Sequence, residues 1–277
     1  MYRLTYIAAS GEAIGLDGPA VWSGQALGVR GSKWGYELGT SSIRFQSRQA
    51  REEQLSVGSL DGESLDRALA AFEADVAAGQ PGVLRAGEWE QRAYVVSCSP
   101  TSSRRGSARL DLGVVLLDGV WRRPEEYHMF PQSGDANGTK RYPYAYPYRY
   151  ASAFGVRYVD ALEDPTESPW TMVIYGYAVS PQVSIGGNVH QFNVTVPEGG
   201  YLLVDARPDP SVTLVTADGL KADVFGCAVR GTGEGCGTYA FQRIPRGKPE
   251  VRWNDSFGFD LTVWHERGAP PYAAGDM

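Results

Sequence analysis

The chain has 277 residues, 43% hydrophobic and 21% charged, enough for one large globular domain or two ordinary ones. A formal net charge of −6 and a pI near 5.2 argue against a phosphate-backbone binder, and Arg104-Arg105 and Arg122-Arg123 are only pairs. No stretch approaches the ~18 apolar residues of a membrane span and the N-terminus lacks a signal-peptide pattern, so the expectation is a cytoplasmically made protein with no membrane anchor.

The first 60 residues read as β. Tyr2 to Ile7 has strand composition, and Ala20-Val21-Trp22 and Leu27 to Trp34 follow, punctuated by Gly, Ser and Asp. A helix stands out over Glu63–Ala78, where Leu65, Ala68, Leu69, Phe72 and Val76 form one apolar stripe. Asp61 is the expected N-cap, Leu60 and Leu65 a hydrophobic staple, and Gly79 the left-handed C-cap, with Pro81 preventing continuation.

β character resumes at Trp89–Cys98 and Leu110–Leu117, and Asp118-Gly119 signals a tight turn before Val120-Trp121. Residues 122–141 are polar and turn-rich, which places a domain boundary near 125–140. The Tyr142–Tyr150 run holds five tyrosines in nine residues; its prolines exclude a helix and favour an extended edge. From 150 onward the pattern is all β, with candidate strands at 171–178, 182–186, 189–196, 201–205, 212–216, 239–244, 249–254 and 258–265. Many short strands with regular turns predict a sandwich or jelly roll.

Motifs for chemistry are weak throughout. The Gly134–Lys140 segment lacks the spacing and the strand–helix context of a phosphate loop, and the glycines at 231, 233, 235 and 237 lack a βαβ setting. His128, His190 and His265 are scattered without metal-ligand spacing, and packing or surface roles suit them best. Glu52-Glu53 and Glu125-Glu126 are chain neighbours, which point to opposite faces of a strand and do not face each other across a cleft. Cys98, Cys227 and Cys236 read as free buried thiols, although Cys227 and Cys236 could meet across a hairpin. No catalytic, metal or cofactor site is assigned, and the expectation is a protein that is not an enzyme.

Leu117-Asp118-Gly119-Val120-Trp121, Tyr146–Tyr150, Val173–Pro181 and Phe241–Gly247 followed by Val251-Arg252-Trp253 occur in the order seen in one family. In these segments the chain resembles the distal tail proteins of long-tailed, siphovirus-type bacteriophages with Gram-positive hosts. The resemblance implies a mainly β protein of two domains. Residues 1–130 would be a β-sandwich-like, ring-forming domain with one helix, 131–141 a linker, and 142–277 a galectin-like β-sandwich. It further implies a structural protein of the virion tail tip, a homo-hexameric ring joining the tail tube protein to the tail-associated lysin or another tail-tip hub protein. Receptor-binding or side-fibre proteins are further partners, and DNA would only pass through the channel. The alternative is a carbohydrate-binding module that contacts host cell-wall glycan.

Interface candidates follow from residue type, since aromatic side chains bury large area at low entropy cost. Trp22, Trp34, Tyr36 and Phe45 are the candidate subunit interface, with core packing the competing reading. Tyr142, Tyr144, Tyr146, Tyr148 and Tyr150 are candidates for an interface or glycan contact, with packing into the C-terminal sandwich as their competitor. The acidic balance also suggests that more Asp and Glu than Arg line the channel.

Overall fold

The computed structural model describes residues 3–23, 28–104, 107–131, 157–160 and 162–271. These are mainly β, with one α-helix among them. The chain forms two compact units, Met1–Arg123 with Glu266–Met277, and Pro124–His265. This differs from the expected division in two ways. The chain leaves unit 1 before residue 130, and its last segment belongs to unit 1 instead of to the second domain.

In chain order, unit 1 holds β1 (Leu4–Ile7), β2 (Ala13–Gly15), β3 (Val21–Ser23), β4 (Gly35–Leu38), β5 (Ile43–Ser47), β6 (Arg51–Ser59), α1 (Gly62–Ala78), β7 (Gly82–Ala86), β8 (Trp89–Arg104), β9 (Ser107–Leu116) and the start of β10 (Trp121–Met129). Antiparallel pairing runs β2–β1–β7–β8–β9–β6–β3. β4 and β5 pair only with each other.

The helix forms where the stripe and caps place it. Asp61 accepts from the Glu63 N–H at 3.1 Å, and Gly79 closes the helix at φ 64°. Leu65, Ala68 and Phe72 enter the core, and Phe72 meets the Tyr6 ring edge-on at 4.9 Å. Two details differ from expectation. Leu60 is exposed, so it is not buried as a staple partner for Leu65. Val76 is exposed too, because the buried residue of that turn is Asp75, which accepts from the Tyr6 hydroxyl at 2.8 Å and the Ala9 N–H at 3.0 Å. A polar clamp to β1 thus replaces the last apolar contact of the stripe, and burial together with Asp75 pushes the Tyr6 hydroxyl well above its ordinary range.

At the Asp118-Gly119 turn, Gly119 sits at φ 63°. Burial alone would raise the Asp118 carboxyl, but Arg92 and Arg122, each 2.9 Å away, hold it below the usual carboxylate range. Arg122 is buried and also pairs with Glu266 at 2.9 Å, which ties the last segment of the chain into unit 1.

Unit 2 contains the rest of β10, then β11 (Arg157–Tyr158), β12 (Trp170–Tyr175), β13 (Ala178–Val179), β14 (Gln182–Ile185), β15 (Asn188–Gln191), β16 (Thr195–Val196), β17 (Tyr201–Asp205), β18 (Ser211–Val215), β19 (Lys221–Asp223), β20 (Glu250–Arg252) and most of β21 (Phe259–Arg267). One antiparallel sheet runs β19–β18–β17–β12–β21, and a second runs β11–β20–β14–β15. Met172, Ile174, Leu202, Val204 and Leu261 of the first share one core with Val183, Ile185 and Val251 of the second, which makes a sandwich. Most expected strands are present. The exception is 239–244, which makes turns and one bridge, Ser168↔Ile244, while Phe241 and Ile244 fill the core.

Candidate functional site

The aromatic residues singled out from sequence separate into two places. Trp34 precedes β4, Tyr36 lies on β4 and Phe45 on β5. No residue of this hairpin is buried, and the large apolar side chains Trp34, Tyr36, Leu38, Ile43 and Phe45 are 42, 58, 73, 50 and 52% exposed. Leu38 and Ile43 are missing from the expected set and complete it. The register Tyr36↔Gln46, Glu37↔Phe45, Leu38↔Ile43 includes a bulge between Glu37 and Leu38. At its base the Arg48 guanidinium lies 4.3 Å over the Trp34 ring, and burial lowers the Arg48 pKa.

An isolated two-stranded hairpin is marginal in water. One that exposes five large apolar side chains over a short span leaves that apolar surface uncovered in the single chain. The core reading of Trp34, Tyr36 and Phe45 therefore fails.

Trp22 is elsewhere and half-buried. It lies on β3, opposite Gly58 of β6, with the indole packed closely against that glycine. The five tyrosines Tyr142, Tyr144, Tyr146, Tyr148 and Tyr150 lie outside the described residues, as does nearly all of the expected linker.

The histidines do three different things. His190 is buried; desolvation drives its pKa down to about 4, its Nδ1 meets the Ala240 carbonyl at 2.8 Å, and its ring meets Trp170 edge-on. His128 is exposed, and Asp260, 2.7 Å away, raises its pKa. The same carboxylate accepts from Tyr175, whose hydroxyl it pushes up to about 12.

His265 is buried between two carboxylates, with Nδ1 2.6 Å from Asp164 Oδ2 and Nε2 2.6 Å from Glu125 Oε2. Glu126, beside Glu125, is exposed, so the two acids of that pair do point to opposite sides. Sequence reading missed this cluster because its members are far apart in the chain. All three cysteines are free; Cys98 and Cys236 are exposed, which corrects the expectation of buried thiols. No group of three or more His, Cys, Asp or Glu side chains disposed to hold a metal ion occurs among the described residues. Among those residues no helix is long and apolar enough to cross a membrane.

These features define a two-unit, mainly β protein with an exposed apolar hairpin, and its fold is similar to that of solved phage baseplate and tail-hub proteins. A chain of the phage P2 baseplate in its activated conformation with Ca superimposes with a TM-score of 0.59 at 10% identity, covering 98% of this chain and 100% of the other. The SPP1 Dit (gp 19.1) protein, described as a paradigm of the hub adsorption apparatus in phages infecting Gram-positive bacteria, superimposes with a TM-score of 0.57 at 10% identity, over 96% and 99% of the two chains. No family model matches the sequence, and no curated protein matches it.

Proposed function

We propose that this protein is the distal tail hub of a siphovirus-type phage: a non-enzymatic homo-hexameric ring that joins the tail tube to the tail-tip proteins and lets DNA pass through its channel. The observation that carries the reading is the β4–β5 hairpin, exposed on both strands and rich in large apolar side chains, in a chain with the fold of phage hub proteins along nearly its whole length.

A second copy is the occupant the hairpin fits. A head-to-tail contact, in which the hairpin of one copy seats on a different surface of the next, generates a closed ring when the rotation closes. It also covers the hairpin's unpaired edges. Unit 1 is then the ring-forming part, and Trp34, Tyr36 and Phe45, with Leu38 and Ile43, are its interface residues. The tail tube protein and a tail-tip hub protein or lysin would dock on the two sides of that ring.

Light scattering on the purified protein, followed by negative-stain imaging, tests this reading. A six-fold ring with a central hole is expected. The double substitution Trp34→Ser, Phe45→Ser should give a folded monomer by circular dichroism. A wild-type protein that stays monomeric alone and with its tail tube protein would overturn the ring.

A further inference from the structure

A pocket of about 400 Å³ opens on the outer face of unit 1, at the β3–β6–β9 end of its sheet. That volume is in the range of small-ligand sites. Its chemistry comes from Trp22, Ser56, Gly58, Thr101, Arg109 and Asp111. Pairing puts them side by side: Trp22 opposite Gly58, Gly58 opposite Arg109, and Ser56 opposite Asp111.

Gly58 is what lets the indole come so close to the strand. A Cβ there would stand 2.7–2.8 Å from three atoms of the Trp22 ring, so any other residue would lift the ring off the sheet. A glycine inside a strand often marks such a close approach. The result is an aromatic ring set beside polar side chains in one pocket.

In the same pocket, Asp111 is held in place by two hydroxyls. Ser56 donates to Oδ1 at 2.5 Å and Thr101 to Oδ2 at 3.1 Å. Each carboxylate oxygen keeps further acceptor capacity. Arg109, two residues away on the same face of β9, is exposed and forms no ion pair among the described residues. A fixed acceptor and a multiple donor thus line the same pocket as the indole. Together they carry no net charge, and a polyhydroxyl ligand can use both at once.

We propose that this pocket is a saccharide-binding site that takes one pyranose ring of a neutral glycan. The apolar C–H face of the sugar covers Trp22, one hydroxyl donates to Asp111, and a neighbouring hydroxyl accepts from Arg109. The site lies in unit 1 and does not depend on the hub reading.

The test is ¹⁹F NMR of the full chain carrying fluorotryptophan. With seven tryptophans, the Trp22 signal is assigned by its loss in Trp22→Phe. Methyl glycosides of glucose, galactose, rhamnose and N-acetylglucosamine are titrated in turn. At least one should move the Trp22 signal saturably. Asp111→Asn and Arg109→Gln, both conservative changes at the pocket rim, should each weaken that binding about tenfold or more, as expected for losing a charged hydrogen bond. Their assembly mass by light scattering should stay at the wild-type value.

No saturable shift with any glycoside overturns the proposal. So does a Trp22 signal that moves with protein concentration alongside a lowered assembly mass in the two variants, which would make the pocket a contact between copies. Failure of the ring reading shows separately, as a wild-type mass that never exceeds the monomer.

Discussion

His265 and Asp164 meet at 2.6 Å inside unit 2, and the other nitrogen of the same ring meets Glu125 at the same distance. A neutral imidazole donates through one nitrogen only, so the two contacts are both satisfied when both nitrogens carry hydrogen. Ser168 adds a hydroxyl to Asp164 at 3.3 Å. Removing one member of such a buried set strands the others. Asp164→Ala should lower the stability of the protein by on the order of 3 kcal/mol in urea unfolding. Glu126→Ala, at an exposed neighbour of Glu125, should change it by less than about 0.5 kcal/mol. Equal effects of the two substitutions would refute a stabilising role for the His265–Asp164 contact.

His190 makes stability fall in acid. Its folded pKa, about 4, lies below the ordinary histidine value of 6.5, so the unfolded chain binds more protons between those pH values. The contribution of the neutral ring is complete above pH ~6.5 and is lost progressively as pH falls through ~4, a change on the order of 3 kcal/mol. His190→Gln, which cannot protonate, should flatten the stability profile over that window. An unchanged slope would show that other groups dominate it.

Gly58 and Trp22 should show strong coupling. Gly58→Ala places a methyl against the indole and should cost about 1–3 kcal/mol. In a Trp22→Ala background the same change should cost less than about 0.5 kcal/mol, because the clash is gone. A double-mutant cycle from denaturant unfolding reads the difference directly.

Cys236 should be the reactive thiol. Its hydrogen bonds with Thr238 bring its pKa down to about 7, while burial raises those of Cys98 and Cys227. Alkylation at pH 7 followed by peptide mass mapping should find Cys236 modified first. Thr238→Val should slow its reaction and leave the other two unchanged.

The helix gives a sharp internal control. Phe72→Ala should cost about 3–5 kcal/mol, whereas Val76→Ser should stay within about 0.5 kcal/mol. Both residues belong to the same apolar stripe, but only Phe72 is buried.

That contrast shows how far sequence carries. The ends of α1 were legible because caps act locally: Asp61 and Gly79 each satisfy backbone groups of their own turn. The inward face of its last turn was not, because Asp75 is buried by a hydroxyl 69 positions away, Tyr6. Most strands of unit 2 show alternation and turn residues, and these signals sufficed. Residues 239–244 have strand composition but satisfy their backbone through turns, with Phe241 and Ile244 anchored in the core.

For the candidate site, aromatic content flagged Trp34, Tyr36 and Phe45, but nothing local distinguished core from surface. β4 and β5 carry apolar residues without a buried face, so the alternation that would show an inward side does not exist. The Glu125–Asp164–His265 cluster was invisible because its contacts span 101 and 140 positions.

The path of the chain between the two units has a practical consequence for dissecting the protein. Unit 2 is an insertion: the polypeptide leaves unit 1 at Arg123 and re-enters it at Glu266. A cut anywhere between these points gives no clean pair of fragments. A piece beginning at residue 142 would carry off Glu266, a partner of Arg122, and Arg267, which stacks 5.2 Å from the Trp89 ring, while leaving His265 without Glu125. Severing the protein at a single bond would damage both halves, whereas excising 124–265 and bridging the gap with a short turn removes one unit whole. The same double attachment means that any exchange of unit 2 must rejoin the chain at two points, 123 and 266, and not one.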